Sequence, residues 1–172
     1  MTDLRYPVGK LTYDPDITNG KRTAWIRQIA ETPAAMRAAV AGLSDAQLDT
    51  PYRPDGWTIR QVVHHVPDSH MNAYIRMKLA ATEEAPAITT YEEHLWAELA
   101  DVDEAPVSVS LDLLDALHHR WVLFLRSLDD EGFLRGYRHP QLGLLPLYNA
   151  LALYAWHGRH HVAHVERALQ RG

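Results

Sequence analysis

Four of the eleven histidines in the chain lie within the segment HGRHHVAH, residues 157–164. On an α-helix, residues four apart lie on one face with their Cβ atoms about 6 Å apart, so two histidines at that spacing can bind one metal ion. The segment offers two such pairs, His157/His161 and His160/His164. The pairs point in different directions around the helix axis, and the spacing alone leaves the choice between them open.

A third metal ligand would come from another helix, and the segment QVVHHVPDSH supplies candidates. His64 and His65 are adjacent, and adjacent helical residues point about 100° apart, so only one of them can point fully inward. The same helix carries a polar stripe at Gln61, His65, Asp68 and Asn72, which indicates a polar pocket. Three neutral imidazoles with an open coordination position are typical of a catalytic zinc-type site. Imidazole also binds Ni, Cu and Fe, so the spacing does not identify the metal.

Four other histidines are assigned to positions outside such a site. His118 and His119 have no histidine four residues away, which indicates surface or packing positions. His139 precedes a proline and is assigned to a loop, and His94 is assigned to a solvated position.

Pro67 lies two residues after His65, inside the same predicted helix. A proline in a helix interior removes one backbone hydrogen bond and costs about 3 kcal/mol. Either the helix tolerates it near its start, or a kink there directs His65 or Asp68 into the pocket. The sequence leaves both possibilities open.

Four long helices are predicted to position these side chains. Apolar residues recur at helical spacing over residues 19–43, where Pro33 is expected to bend or split the helix. Thr58 is the predicted N-cap of a second helix that ends at Thr82. The third helix is predicted to begin at Ser110, with an apolar face at Leu113, Leu117, Trp121, Phe124 and Leu128. The last helix is predicted over residues 147–169, after Pro146.

The connections are predicted to be mostly irregular. Residues 1–17 are interpreted as an extended surface arm, and Ser44 as the cap of a short turn. A short helix is expected over residues 91–99, and residues 129–145 are expected to hold at most one short extended piece. The predicted fold class is therefore all-α, with one four-helix-bundle domain over residues 1–172. Because the second and third connections are long, simple up-down-up-down order is not guaranteed.

Composition excludes several classes of function. The formal net charge is -5 with no basic stripe, which argues against nucleic-acid binding and against docking on an anionic membrane. The N-terminus lacks the apolar run of a signal peptide, and no stretch of about 18 apolar residues occurs, so a cytoplasmic location is predicted. The chain has no cysteine. Any metal would therefore be held by nitrogen and oxygen ligands, and any reacting thiol would come from another molecule.

The segments WTIRQVVHH, LHHRWVLFLRSL and WHGRHHVAH together resemble the DinB/YfiT-like family over nearly the whole chain. The similarity is greatest to the YfiT branch, whose members are described provisionally as metal-dependent hydrolases and as bacillithiol S-transferases. The resemblance implies a four-helix bundle with a three-histidine metal site, and a homodimer. By position it selects His65, eight residues after Trp57, together with His157 and His161 from the family's H-G-x-x-H phrase.

Two reactions would suit such a site, with Zn or Ni as the expected metal. A coordinated thiol would lose its proton and attack an electrophilic substrate as a metal-bound thiolate, or a coordinated water would become a hydroxide that hydrolyses an ester or amide. Hydrolysis usually needs a carboxylate base. Asp68 is the best candidate for that catalytic role, although it could instead orient an imidazole.

The lack of a carboxylate between His157 and His161, together with the resemblance, favours transfer of a low-molecular-weight thiol such as bacillithiol. The carboxylates of such a thiol could be bound by Arg60, Arg120 or Arg159. A metal-dependent hydrolase is the first alternative, and a metal- or ligand-binding bundle without turnover is the second.

Overall fold

A computed structural model describes residues 3–14 and 16–170 of the chain. Within them lie eight helices and one two-stranded antiparallel sheet. The elements are α1 (Asn19–Ala39), α2 (Asp45–Leu48), α3 (Ile59–Thr82), α4 (Glu93–Trp96), α5 (Ala100–Glu104), α6 (Val107–Ser127), α7 (Asp130–Leu134), β1 (Gly136–His139), β2 (Gly143–Pro146) and α8 (Leu147–Leu169). The four long helices α1, α3, α6 and α8 form a four-helix bundle, as predicted.

Two apolar clusters fill the interior of the bundle, and each long helix contributes to both. The first cluster includes Ile29, Met77, Trp121 and Leu151. The second cluster includes Met36, Val62, Leu114 and Val165. Between the two clusters, three of the helices place buried or half-buried histidines. We call this set the histidine layer: His65, His70, His118, His157 and His161.

The order in which each helix meets the two clusters gives its direction. Helices α1 and α8 enter the first cluster before the second, whereas α3 and α6 enter the second before the first. Helices α1 and α8 are therefore parallel to each other and antiparallel to α3 and α6. Helix α1 packs on α6 and α8, and α3 packs on the same two helices. The chain thus runs up-down-down-up, in which the second connection, from α3 to α6, must run the length of the bundle because these two helices are parallel.

The two helices that carry the predicted metal ligands, α3 and α8, begin and end where the sequence predicts. Thr58 caps α3 in a capping box, in which its side chain accepts from the Gln61 amide while the Gln61 side chain accepts from the Thr58 amide. Helix α3 then continues unbroken through Pro67 to Thr82. Helix α8 follows Pro146 directly. Ser44 caps α2 with a second capping box.

The predicted start of the third helix was wrong. Helix α6 begins at Val107, three residues before Ser110, and has no side-chain cap. The Ser110 hydroxyl lies 2.7 Å from His64 Nδ1, so it serves a contact between helices instead. Leu113, assigned to the apolar face, is 42% exposed because the face that meets α1 and α3 follows Leu111, Leu114 and His118.

Two connections contain more structure than predicted. The helix expected over residues 91–99 is shorter in the structure, where only α4 (Glu93–Trp96) lies in that range, and a second short helix, α5 (Ala100–Glu104), follows it. Residues 129–146 contain α7 and the paired strands β1 and β2, which is more than the one short extended piece expected there. Four-residue strands are too short to show a clear alternating pattern. Gly136 permits their close pairing, since a Cβ there would lie 2.6 Å from the Leu145 carbonyl oxygen.

The described part of the N-terminal segment lies against α8. The Trp156 indole donates a hydrogen bond to the Gly9 carbonyl (3.0 Å), and Pro7 is buried. The segment from Asp3 to Thr18, Pro15 excepted, contains no helix or strand. Among the described helices, none is both long and apolar enough to cross a membrane.

Candidate metal centre

Three histidines from two helices meet at one point of the histidine layer. His65 lies on α3, and His157 and His161 lie one turn apart on α8. One ring nitrogen from each lies within 4.8 Å of those from the other two. The structure therefore brings together the three residues that the sequence predicts as metal ligands. We call this set the interhelical trio.

The spacing of the donor atoms fits a shared cation. His65 Nε2 and His157 Nε2 are 3.4 Å apart. Two imidazole nitrogens that each lie about 2.0–2.1 Å from a tetrahedral ion would be about 3.4 Å apart. His157 is only partly buried, whereas His65 and His161 are buried, so the trio is open on the His157 side.

Burial keeps all three imidazoles neutral. It lowers the pKa of His65 to about 4. It lowers the pKa values of His157 and His161 well below the usual range, and repulsion from neighbouring histidines adds to the effect. Metal ions bind neutral imidazole, so at neutral pH these ligands have no proton to lose before binding.

Behind the trio, a chain of three histidines extends across the bundle from α8 towards α1. His157 Nδ1 lies 2.9 Å from His70 Nε2, and His70 Nδ1 lies 2.7 Å from His118 Nε2. At the far end, His118 Nδ1 donates to the Ile29 carbonyl oxygen at 2.7 Å. His70 and His118 are 0% and 2% exposed. We call His157, His70 and His118 the histidine chain.

The carbonyl at the end of the histidine chain determines every tautomer in it. A carbonyl only accepts, so His118 Nδ1 carries a proton, and because burial lowers the pKa of His118 to about 4, its Nε2 is an acceptor. His70 Nδ1 must then donate to it, which leaves His70 Nε2 to accept from His157 Nδ1. His157 Nε2 is consequently unprotonated and faces His65. This is the outer hydrogen bond that a metal-binding histidine usually makes.

A glycine beside the trio allows α8 to lie close to α1. A Cβ atom at Gly158 would lie 2.8 Å from Thr32 Cγ2, closer than packed atoms come. The position of α8, and with it the height of His157 and His161 in the bundle, depends on this close contact.

The alternative pair on α8 also forms a group of ring nitrogens. His160, His161 and His164 are buried, and their ligand atoms also lie within 4.8 Å of one another. All three come from one helix, and we call them the single-helix trio. His160 stacks on Trp156 and His164 on Tyr52, with ring centroids 4.3 and 4.0 Å apart.

Asp68 lies one turn from His65, and its catalytic role stays a prediction. Burial, and to a lesser extent repulsion from Asp101, raises the pKa of Asp68 to about 6. Within the described residues, its carboxylate makes no hydrogen bond to an imidazole, which speaks against the alternative that Asp68 orients one.

His118 is buried, as a packing position requires, and its ring is in addition a hydrogen-bonded member of the histidine chain, which was not predicted. His70 was not singled out at all. A signal for both existed in the apolar periodicity. His70 falls in the buried series Val66, His70, Ala73 and Met77, and His118 falls in the series Leu111, Leu114, His118 and Trp121. A histidine in such a series must find a hydrogen-bonding partner inside the protein.

His119 and His94 are exposed, in line with their predicted positions. His139 was assigned to a loop, but it is the last residue of β1. His64 is buried as well as His65, but it faces Ser110 on α6 instead of the trio.

The three arginines suggested for substrate carboxylates have other partners. Arg60 pairs with Asp45 and Asp49, Arg120 lies over Tyr74, and Arg159 donates to the Ala155 carbonyl.

Comparisons with known proteins agree with this architecture. Relatives from Bacillus cereus strain B4264 and Bacillus thuringiensis subsp. konkukian strain 97-27 are 52% identical over 171 residues, which is 99% of this chain and 98% of theirs. Both carry names that assign them provisionally to the metal-dependent hydrolases.

A solved structure, YfiT from Bacillus subtilis, superposes with a TM-score of 0.95 at 48% identity and covers 99% of this chain and 98% of its own. It is described provisionally as a metal-dependent hydrolase with an unusual four-helix bundle topology. TT2238, also a four-helix bundle, superposes with a TM-score of 0.59 at 19% identity, covering 88% of this chain and 99% of its own, and shares the fold alone. The model of the DinB superfamily matches residues 28–165. The chain therefore belongs to the DinB superfamily.

Proposed function

We propose that the protein is a metal-dependent enzyme that transfers a low-molecular-weight thiol of the bacillithiol type to an electrophilic substrate. In this proposal, His65, His157 and His161 bind a divalent metal ion, Zn or Ni. The observation that carries it is the convergence of three neutral imidazoles from α3 and α8 on one point.

The residues of the site would perform separable tasks. The interhelical trio holds the ion on neutral nitrogens, and the histidine chain keeps His157 Nε2 free of a proton. A bound divalent ion would supply acidity, lowering the pKa of a thiol or water that enters its open position. The open side next to His157 admits the substrate.

The choice between thiol transfer and hydrolysis depends on the need for a general base. A coordinated thiol ionises without one, since a free thiol already has a pKa of about 8.5. Neither group of metal-binding side chains includes a carboxylate. Thiol transfer therefore needs no general base in addition to the metal ligands, whereas hydrolysis does.

Hydrolysis is the second candidate, and two observations favour it. The similar Bacillus proteins carry hydrolase names. Asp68, with a pKa raised to about 6, would be largely ionised at neutral pH and would still accept a proton readily. In this case Asp68 is the catalytic base.

One experiment separates these candidates. Purified protein is analysed for metal, then loaded with Zn or Ni and incubated with a thiol and chlorodinitrobenzene, and in parallel with model esters and amides. Thiol transfer predicts conjugation that is lost in His161→Ala and kept in His119→Ala, a control in which an exposed imidazole is removed. Ester or amide cleavage that depends on Asp68 would support the hydrolase. Stoichiometric metal without any turnover would support a binding protein.

A homodimer is the proposed assembly. Helix α6 presents exposed apolar side chains at Val109, Leu113 and Leu123, which a second copy could cover. Light scattering should give twice the mass of the chain, and Leu123→Glu should shift the protein towards the monomer. A monomer at all concentrations would contradict the proposal.

A further inference from the structure

A small cavity lies directly beside the interhelical trio. It has a volume of about 150 Å³ and includes His157 in its wall. Ser69 and Arg76 of α3 and Tyr154 of α8 also line it. Residues 65, 69 and 76 share one face of α3, because offsets of four and eleven residues bring side chains back to the same side of a helix. The cavity therefore lies along the face of α3 that also carries His65, with His157 in its wall.

Arg76 is the unusual residue of this cavity. It is only 8% exposed, although a guanidinium remains charged in proteins. Its hydrogen-bond partners are the Thr89 carbonyl, which accepts at 2.7 Å, and the Tyr154 hydroxyl. Both are neutral. Within residues 3–14 and 16–170, Arg76 forms no ion pair.

Two other arginines with little side-chain exposure in this protein are neutralised. Arg22 pairs with Asp130, and Arg60 pairs with Asp45 and Asp49. Burying a charge without a counterion is costly, so such groups are normally paired. The Arg76 guanidinium has more N–H donors than its two hydrogen-bond partners use, and it lines a cavity. An anionic group of a ligand in the cavity would accept from the remaining donors and neutralise the charge.

The surroundings favour a singly charged anion. Glu93 also lines the cavity without pairing with Arg76, and its pKa is raised by burial, an effect that the charge of Arg76 partly offsets. A dianion such as phosphate would be repelled by this carboxylate. A carboxylate matches the planar fork of one guanidinium and can also accept from the Ser69 and Tyr154 hydroxyls.

We propose that Arg76 binds a carboxylate of the substrate while the substrate's reacting group lies at the interhelical trio. This inference rests on the proposed function for the identity of the reacting group. An arginine side chain on a helix leans towards the N-terminus of the helix, which for Arg76 is the direction of His65. The ligand is therefore a molecule long enough to place a carboxylate in the cavity and its thiol beside His157.

The test compares matched ligands that differ only in charge. Affinities of ω-mercapto acids of increasing chain length are measured against ω-mercapto alcohols of the same length, using cobalt-substituted protein and its thiolate absorption band. Wild type should prefer the acid at one range of chain lengths by about 10- to 100-fold, the effect of one charge-assisted pair. Arg76→Gln should abolish that preference and leave the alcohols unchanged, whereas Arg120→Gln, which removes an exposed arginine, should keep it.

Two further variants strengthen the test. Arg76→Lys keeps the charge without the fork and should retain part of the preference, even if Arg76→Gln folds poorly. Glu93→Gln removes the nearby carboxylate and should tighten binding of the acids. Equal binding of acids and alcohols by wild type, or an unchanged preference in Arg76→Gln, would overturn the inference.

Simple alkyl carboxylates and the matching alcohols, added to metal-free protein, separate this inference from the proposed function. If carboxylates bind through Arg76 there but a thiol adds no affinity in metal-loaded protein, the anion site stands and the thiol-transfer proposal fails. If thiols bind the metal-loaded protein without a preference for acids, the reverse conclusion holds.

Discussion

The two histidine pairs on α8 have identical spacing and different surroundings. His157 and His161 meet His65 from α3, and His157 is held from behind by the histidine chain. His160 and His164 stack on Trp156 and Tyr52 and meet no imidazole from another long helix within their group. The i, i+4 spacing creates an opportunity for metal binding. For His157 and His161, α3 supplies a third imidazole, and the hydrogen bond between His157 and His70 fixes the His157 tautomer.

Removing one metal ligand should have the largest effect on metal binding, and it tests which of the two groups on α8 holds the ion. His157→Ala and His65→Ala should each abolish stoichiometric metal binding, a loss beyond the about 10- to 100-fold that outer partners contribute. His160→Ala and His164→Ala are the matched controls and should keep the metal. Metal analysis of the purified variants is the measurement. If His65→Ala keeps the metal and His164→Ala loses it, the single-helix trio is the site.

The next effect should come from the histidine chain. His70→Leu leaves His157 Nδ1 and His118 Nε2 without their partner and frees the His157 tautomer, so metal affinity should fall by about 10- to 100-fold. His70→Gln can still accept from His157 and donate to His118, and should recover much of the loss. Competition with a chromophoric chelator gives both dissociation constants.

Nitrogen-15 NMR of the imidazoles provides a reading that is independent of stability. In metal-free wild type, His157 should be protonated at Nδ1, and in His70→Leu it should show both tautomers. The same tautomer in both proteins would show that the histidine chain does not determine it.

The pH dependence of metal affinity should distinguish the buried trio from an ordinary exposed histidine pair. An exposed imidazole takes up a proton near pH 6.5 and loses about tenfold in metal affinity per pH unit below that. The pKa of His65 is lowered to about 4, and those of His157 and His161 are also well below the usual range. Metal affinity should therefore change by less than about tenfold between about pH 7.5 and 5.5. A steep decrease starting at about pH 6.5 would indicate binding at exposed histidines.

The same pKa shifts predict how the stability of the metal-free protein depends on pH. The unfolded chain takes up protons near pH 6.5, whereas buried His65 and His118 take them up only at about 4. The free energy of unfolding should be greatest above pH 6.5 and decrease as the pH falls from 6.5 towards 4. Urea unfolding at several pH values measures this directly, and His118→Phe should reduce the slope.

Helix boundaries were predictable where local chemistry determines them. The capping box at Thr58 and the proline before Leu147 are complete signals within a few residues, and both helices were predicted at their observed starts. Helix α6 has no such cap, and the nearby Ser110 was mistaken for one. The hairpin depends on pairing between two four-residue strands, which no local pattern reveals.

The residues of the candidate site were also predictable only in part. His65, His157 and His161 were selected by spacing and family resemblance, and the structure brings them together. Arg76, His70 and His118 depend on which helix faces which across the bundle. The up-down-down-up order brings the histidines of α3, α6 and α8 to one layer, and that order could not be obtained from the sequence of any single helix.

The smallest effect should come from the contact behind α8. Gly158→Ala would press a methyl group against Thr32 and push α8 away from α1, destabilising the fold by about 1–3 kcal/mol. The shift would alter distances from α8 to His65 on α3 but not distances within α8. Metal affinity should therefore weaken severalfold if the interhelical trio is the site, and stay unchanged if the single-helix trio is. Thr32→Ala in the same protein should restore part of both losses, because it removes the two nearest of the three atoms within reach of the new methyl group.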